Sequence, residues 1–313
     1  MGRRVSLIRY FRETMNKMGL RGRVLGVDVN RLSPAYYVTD ASFPICRINS
    51  EEYIPSLVEI CRQEKVNLLI SLLDTDLIKL SENKEAFQKE DIFVLISSLE
   101  VVRLSRDKRL THDFFQENGI PTPRLLDYEN VLKGGKFPVF IKPLDGSASH
   151  KTFLIENRES LSFFYEYVPN PLIMEYVPGD EYTIDLFINL DGEVKALVPR
   201  KRLEVRSGEV SKSQIVLNAE IIQAGKKVGE ALAGIGALGP LNVQCILSPD
   251  NPIKFIEINP RFGGGCPLSI HAGYPFPQWC IETALGVSFS PFEANVGDGE
   301  IMLRYDDAIF VRQ

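Results

Sequence analysis

The sequence predicts a parallel α/β domain over residues 1–104, followed by two α+β lobes, a small one over 105–171 and a large one over 172–313. Three observations predict this order. Short apolar runs first alternate with amphipathic stretches, the pattern of a parallel sheet with covering helices. A section from Ser105 then runs helix, strand, polar loop, strand, helix. A section from Leu172 carries two strand pairs separated by one long helical stretch.

In chain order, residues 5–18 have helical periodicity and residues 24–28 read as a buried strand. Ser50 is placed to cap a helix with Glu51 and Glu52 in its first turn, where the helix dipole favours acids. Residues 67–72 and 92–96 are two further strands. A doubly wound domain ordinarily opens on a strand, whereas this chain opens on a helix. The Gly2-Arg3-Arg4 turn reads as the loop after a first strand that is either truncated or dispensable. In the second section 107–118 is helical, closed by Gly119 as a C′ glycine and by Pro121 and Pro123. Strand 138–142, polar loop 145–151, strand 153–155 and helix 160–167 follow. In the third, 182–190 turns at Asp191-Gly192 onto 194–198, a strong hairpin signal. Asn218 caps a helix to about residue 235. Strands 241–247 and 253–258 form a second hairpin, and 279–285 is the last clear helix. No repeat or low-complexity tract is present.

Apolar residues make up 44% and charged residues 25% of 313, an ordinary globular balance, and the net charge of −5 argues against a broad nucleic-acid surface. No apolar run approaches the ~18 residues of a membrane span, and no signal-peptide core follows Met1. The five cysteines form no CxxC pair and only three histidines occur, which disfavours a disulfide framework or a structural zinc site. A cytoplasmic location is expected.

The most specific constellation lies in the second hairpin, Phe255-Ile256-Glu257-Ile258-Asn259-Pro260-Arg261. Side chains alternate faces along a strand, so Glu257 and Asn259 share one face. On the neighbouring strand Asn242 and Gln244 do the same. If the two polar faces coincide, Gln244, Glu257 and Asn259 converge as hard oxygen donors of the kind Mg²⁺ prefers. Arg261, just past the strand, is placed to meet phosphate charge. The alternative is an amphipathic hairpin with a solvated polar face.

Lys142 ends an apolar strand, and the small polar loop after it, with Ser147 at its centre, offers backbone N–H groups as a phosphate cover. Lys108 sits in the first turn of its helix, an unfavourable place for a cation unless it serves an anion. Taken alone, each lysine is more often plain surface charge. The segment from Met174 to Tyr182 links the two lobes. Its extended backbone suits an adenine edge, and Glu181 suits ribose hydroxyls. An ordinary turn with two solvated acids is the alternative.

Together these residues resemble an ATP-grasp protein, and within that superfamily the chain is similar to half of a carbamoyl-phosphate synthase large subunit. The resemblance covers almost the whole length. It implies an N-terminal pre-ATP-grasp domain followed by a two-lobed ATP-grasp fold. It also implies that Lys108 and Lys142 hold ATP phosphates, with Ser147 in the covering loop. Glu175 and Val177 would meet adenine, and Glu181 the ribose. Gln244, Glu257 and Asn259 would bind one or two Mg²⁺, with Mn²⁺ a substitute, and Arg261 would stabilise the transferred phosphoryl group. The implied activity is a ligase that turns a carboxylate into an acyl phosphate for attack by an amine, with relatives commonly dimeric.

The segment 199–212 places five cations between the first hairpin and the long helix. Arg206, with Lys201 or Lys212 as helper, is the candidate for phosphate or for the carboxylate substrate; a solvated charged loop is the alternative. Gly263-Gly264-Gly265 permits close approach of a ligand or is a plain turn. His271 is read either as orienting substrate or as structural. Three functions stay open: an acid–amine ligase, an enzyme phosphorylating bicarbonate or carbamate, and a nucleotide-binding module without catalysis.

Overall fold

A computed structural model describes residues 2–146, 151–206, 208–248, 251–292 and 297–312. The chain opens with helix α1 (Val5–Lys17), strand β1 (Leu25–Asp28) and strand β2 (Ala41–Pro44), which pairs in parallel with β1. Helix α2 (Tyr53–Gln63), β3 (Leu68–Ile70), α3 (Leu77–Glu82), α4 (Lys84–Gln88) and β4 (Phe93–Leu95) follow, and β3 and β4 are again parallel. The expected parallel domain is thus two hydrogen-bonded pairs, and β2 was not foreseen. Ser50 does not cap α2. Its hydroxyl accepts the Glu52 N–H and its carbonyl the Tyr53 N–H, so a turn fills 50–52 and the helix starts at Tyr53. Tyr53, Leu57, Leu77, Phe87 and Val94 build this domain's core.

Helix α5 (Leu99–Arg106), capped by Ser98, leads to α6 (Lys108–Glu117). Asp107 caps α6 by accepting the N–H groups of Arg109 at 2.8 Å and Leu110 at 3.3 Å, which sets Lys108 at the first helical position. Strand β5 (Leu125–Leu126), α7 (Tyr128–Gly134), β6 (Val139–Pro143), β7 (Phe153–Ile155), α8 (Arg158–Tyr167) and β8 (Pro171–Glu175) form the small lobe. Its sheet runs β5-β8-β6-β7, so residues 171–175 belong to this sheet.

The large sheet has the order β13-β12-β9-β10-β11-β14. Its strands are β9 (Asp180–Ile188), β10 (Val194–Arg206), β11 (Glu209–Ile215), β12 (Gly239–Ser248), β13 (Asn251–Asn259) and β14 (Ile301–Leu303). Helix α9 (Ala219–Gly234), capped by Asn218, covers one face through Ile184, Leu186, Val228 and Val243. Helices α10 (Cys266–His271) and α11 (Phe276–Leu285) cover the other, where Leu7 of α1 joins Phe187, Phe262 and Trp279. The N-terminal domain and the large lobe therefore share apolar packing, continued by the edge-on contact of Phe11 with Phe262. The basic segment expected as a loop is instead strand: β10 and β11 pair along it and turn through Gly208. Alternation explains this. Arg200 pairs in register with Thr183 on the helix-α10 side, whereas Lys201 faces the opposite way and meets Asp180 at 2.5 Å.

Candidate functional site

The two polar faces of the second hairpin coincide. Gln244 lies directly across from Glu257, and Asn242 from Asn259. Strand β9 extends the same face with Thr183 beside Gln244 and Asp185 beside Asn242. Asn259 is held at the strand end: its Nδ2 donates to Asn242 Oδ1 at 3.4 Å, and its Oδ1 accepts from Arg261 Nη2 at 3.2 Å.

Lys142 approaches this face from the small lobe. Its side chain is nearly enclosed, and burial lowers its pKa to about 8; Glu257 pulls the other way, Lys108 adds repulsion and Glu181 attraction. Burial likewise lowers the pKa of Lys108, again opposed first by Glu257. Both ammonium groups therefore feel one carboxylate across the cleft. Lys108 Nζ also donates to the Leu144 and Gly146 carbonyls, each at 3.2 Å, tying α6 to the loop after β6. Ser147, and the rest of 147–150, lies outside the described residues. Among the described residues no hydrogen bond or ion pair engages the Lys142 ammonium, the Glu257 carboxylate or the Gln244 side chain. A buried cation and an unspent acid at one cleft are groups awaiting a charged ligand.

The other expected residues are placed differently. Glu175 spends its carboxylate on Arg124 at 2.6 Å and on Lys254, and its N–H on the Arg124 carbonyl. Burial would raise its pKa, and those two cations hold it below the usual carboxylate range. Val177 is buried. Glu181 pairs with Arg202 at 3.0 Å. Arg261 is gripped bidentately by Asp74 of the N-terminal domain, Nε–Oδ1 2.7 Å and Nη2–Oδ2 2.6 Å. Arg206 and Lys212 are not brought to the cluster. Each sits in an exposed ion pair, with Asp306 at 2.9 Å and Glu204 at 2.7 Å, of a kind worth little to stability. His271 is exposed and meets Glu300 at 3.1 Å.

Sequence reasoning missed three partners. Asp74 follows β3 in a loop with no distinguishing motif. Asp185 shares the Thr183 face by alternation, a signal present in the sequence, and forms a fully buried pair with Arg200 at 2.7 and 2.9 Å, seconded by Ser269 Oγ at 2.5 Å. Gly265 is required there, because a Cβ at that position would run into the Arg200 guanidinium. Arg4, Glu209 and Arg304 form the third group.

No set of three or more His, Cys, Asp or Glu side chains converges among the described residues. The donor set is one acid and two amides, and it suits a hard cation that arrives with phosphates and completes its octahedron with their oxygens.

Residues 1–95 match the family described as PylC-like, N-terminal domain, and residues 167–299 match ATP-grasp in the biosynthetic pathway with Ter operon. A carbamoyl-phosphate synthase of Methanobrevibacter smithii is 29% identical over 66% of this chain and 60% of its own length. A 3-methyl-D-ornithine–L-lysine ligase of Methanosarcina acetivorans is 29% identical over 61% of this chain and 48% of its own. The chain thus spans about half to three-fifths of these relatives. Among solved structures, the biotin carboxylase domain of Hydrogenobacter thermophilus 2-oxoglutarate carboxylase superposes with a TM-score of 0.76 at 16% identity, over 96% of this chain and 72% of that one. The facing polar strands, the lysines of the opposing lobe and these likenesses agree: residues 167–299 match an ATP-grasp family, residues 1–95 match a PylC-like N-terminal domain, and the chain is similar to ATP-grasp proteins over these parts.

Proposed function

We propose that this protein is an ATP-dependent ligase that moves the γ-phosphoryl group of ATP onto a carboxylate, and that an amine or similar nucleophile then attacks the acyl phosphate. The observation that carries the reading is the buried Lys142 ammonium and the Glu257 carboxylate facing one cleft, neither engaged among the described residues, with Gln244 beside Glu257. Lys108 and Lys142 meet the phosphates. Gln244, Glu257 and Asn259 take the Mg²⁺ that travels with the nucleotide, which supplies charge neutralisation. Arg261, fixed by Asp74, presents positive charge beside Asn259. The backbone at Glu175 and Val177 offers the adenine edge, because the Glu175 side chain is already spent. The names of the relatives, a synthase and an amino-acid ligase, support the reaction class. Five free cysteines, four of them buried, support a cytoplasmic location. A second reading takes bicarbonate as the acid, favoured by the bicarbonate and MgADP in the Hydrogenobacter complex.

The test is a panel of carboxylates, bicarbonate included, incubated with MgATP and hydroxylamine, which traps acyl phosphates as hydroxamates. A hydroxamate or acid-dependent ADP release is expected. Silence across the panel, together with no MgATP binding by calorimetry, overturns the reading. Mg²⁺ alone is expected not to bind measurably, and to bind once ADP is present, since a single carboxylate is the only charged donor.

Lys142 makes nucleotide binding pH-linked. Its folded pKa of about 8 lies below the ordinary lysine value, so between the two the folded chain holds fewer protons than the unfolded chain. Stability therefore gains from this residue as pH rises through that window, and the cost of burying the charge is present below it. Phosphate binding reverses the shift and draws a proton in. At a pH just above about 8, the calorimetric enthalpy of ADP binding is expected to vary with buffer ionisation enthalpy in the sense of proton uptake. Unchanged uptake in Lys142→Met would remove the lysine from the phosphate site.

A further inference from the structure

Asp74 reaches Arg261 from a loop, residues 71–76, that closes on a buried acid of its own. Asp76 is 8% exposed and stands at the N-cap position of α3, where an aspartate ordinarily accepts from the first N–H groups of the helix. Here its side chain makes no cap bond. Its Oδ1 accepts from Ser71 Oγ at the other end of the loop, and its Oδ2 accepts from Tyr53 Oη at 3.1 Å, at the start of α2. Ser71 Oγ also accepts the Leu73 N–H at 3.2 Å, so the loop folds back on its first residue with Asp74 in between. Tyr53 is itself buried in the core with Leu57, Leu77 and Phe87. Burial raises the Asp76 pKa, and hydrogen bonds from Ser71 and Tyr53 oppose the rise. A buried carboxyl turned toward two hydroxyls rather than toward the helix end fixes the shape of the loop, and with it the direction in which Asp74 projects.

The consequence falls on Arg261. Asp74 takes its Nε–H and one N–H of Nη2, Asn259 Oδ1 takes Nη2 at 3.2 Å, and the Phe262 carbonyl takes Nη1 at 3.1 Å. Among the described residues these four bonds occupy four of the five N–H groups of the guanidinium and leave one, on Nη1. The planar fork cannot swing without releasing the bidentate carboxylate. We propose that Tyr53, Ser71 and Asp76 are positioning residues that act through Asp74, so that the N-terminal domain aims the remaining N–H of Arg261 at the phosphoryl group in transfer. The proposal rests on the ligase reading above. Arg261 alone meets the reacting atoms, and the other four residues set its direction. A guanidinium held in advance stabilises charge as it develops without reorganising during the step, and a loose one does not.

The experiment uses the full chain and reads Arg261 in two ways. The first needs no turnover: ¹⁵N–¹H spectra of the Arg261 Nε–H, identified by its loss in Arg261→Lys. Because Nε donates to Asp74 Oδ1 at 2.7 Å, this N–H is expected to exchange slowly with solvent in the wild type. Tyr53→Phe removes one hydroxyl and keeps the ring in the core, and Ser71→Ala removes the other. Each is expected to speed exchange at Arg261 by roughly tenfold or more. The Arg200 Nε–H, which donates to Asp185 within the large lobe, is expected to hold its rate. The second measurement is turnover, as ADP release with whichever acid gives a hydroxamate. Both variants, and Asp74→Asn, are expected to lower kcat by about tenfold, with KM for ATP and MgADP affinity little changed. Added to Asp74→Asn, Tyr53→Phe is expected to lower kcat no further, because the residue through which it acts has already gone. Wild-type exchange at Arg261 in both variants overturns the proposal. A further loss of kcat of similar size when Tyr53→Phe is added to Asp74→Asn overturns it too, as does wild-type kcat in a variant whose Arg261 exchange has risen. If no acid supports turnover, the ligase reading falls, and the exchange rates still decide whether the loop holds Arg261. If Ser71→Ala does not fold, Tyr53→Phe alone decides.

Discussion

Glu257→Gln is expected to lower Mg²⁺-dependent turnover by more than about a hundredfold while the chain melts where the wild type does. Glu257 is the one acid on the shared face of β12 and β13, opposite Gln244, and among the described residues its carboxylate makes no hydrogen bond whose loss would disturb the fold. The amide keeps the shape and removes the charge. Two consequences separate a metal role from a structural one. MgADP affinity falls while metal-free ADP affinity holds or rises, because an anion facing the phosphates has gone. The proton linkage of Lys142 also moves to lower pH, since Glu257 is the strongest influence opposing the effect of burial on that lysine. Turnover and Mg²⁺ dependence equal to wild type would refute the metal assignment, and an unmoved linkage would separate Glu257 from the lysine.

The parts of this site that lie close together in the chain were legible without coordinates. Strand alternation put Glu257 and Asn259 on one face, and the cap residue Asp107 placed Lys108 at a helix start. The partner face of Asn242 and Gln244 followed from a short hairpin, where turn and register are coupled. What failed was whatever depends on distant contact. Asp74 is 187 residues from Arg261, and no local pattern marks it. Arg200 and Arg202 looked like members of a charged loop because five cations in a short stretch favour solvent. Asp185, which neutralises Arg200 and allows the strand to pass through the interior, lies on another strand. Short elements were lost too. β2 offers four residues with a terminal proline, and α10 six residues after three glycines, too few for periodicity to speak. The first-turn arginines were read only as the remnant of a loop, because their meaning comes from Glu209 and Arg304 near the far end of the chain.

Asp185→Ala is expected to cost about 3–5 kcal/mol of stability, because it leaves the Arg200 guanidinium buried without its counter-charge. Both side chains are 1% exposed, and among the described residues Arg200 Nη1 has no hydrogen-bond partner to share the charge. Ser269 Oγ loses its acceptor in the same step. The double replacement Asp185→Leu, Arg200→Met removes both charges together and is expected to recover most of the loss in urea unfolding, since desolvating two ions roughly offsets their attraction. Stability is then no reason for the pair to be there, and position is. Asp185 stands in register with Asn242, which pairs with Asn259, which in turn holds Arg261. The double variant is therefore expected to fold near wild-type stability and to lose kcat by roughly tenfold, with nucleotide affinity kept. Wild-type kcat in a stable double variant would show that the buried pair does not align the polar face, and a double variant as unstable as Asp185→Ala would show that the guanidinium charge was never the source of the cost.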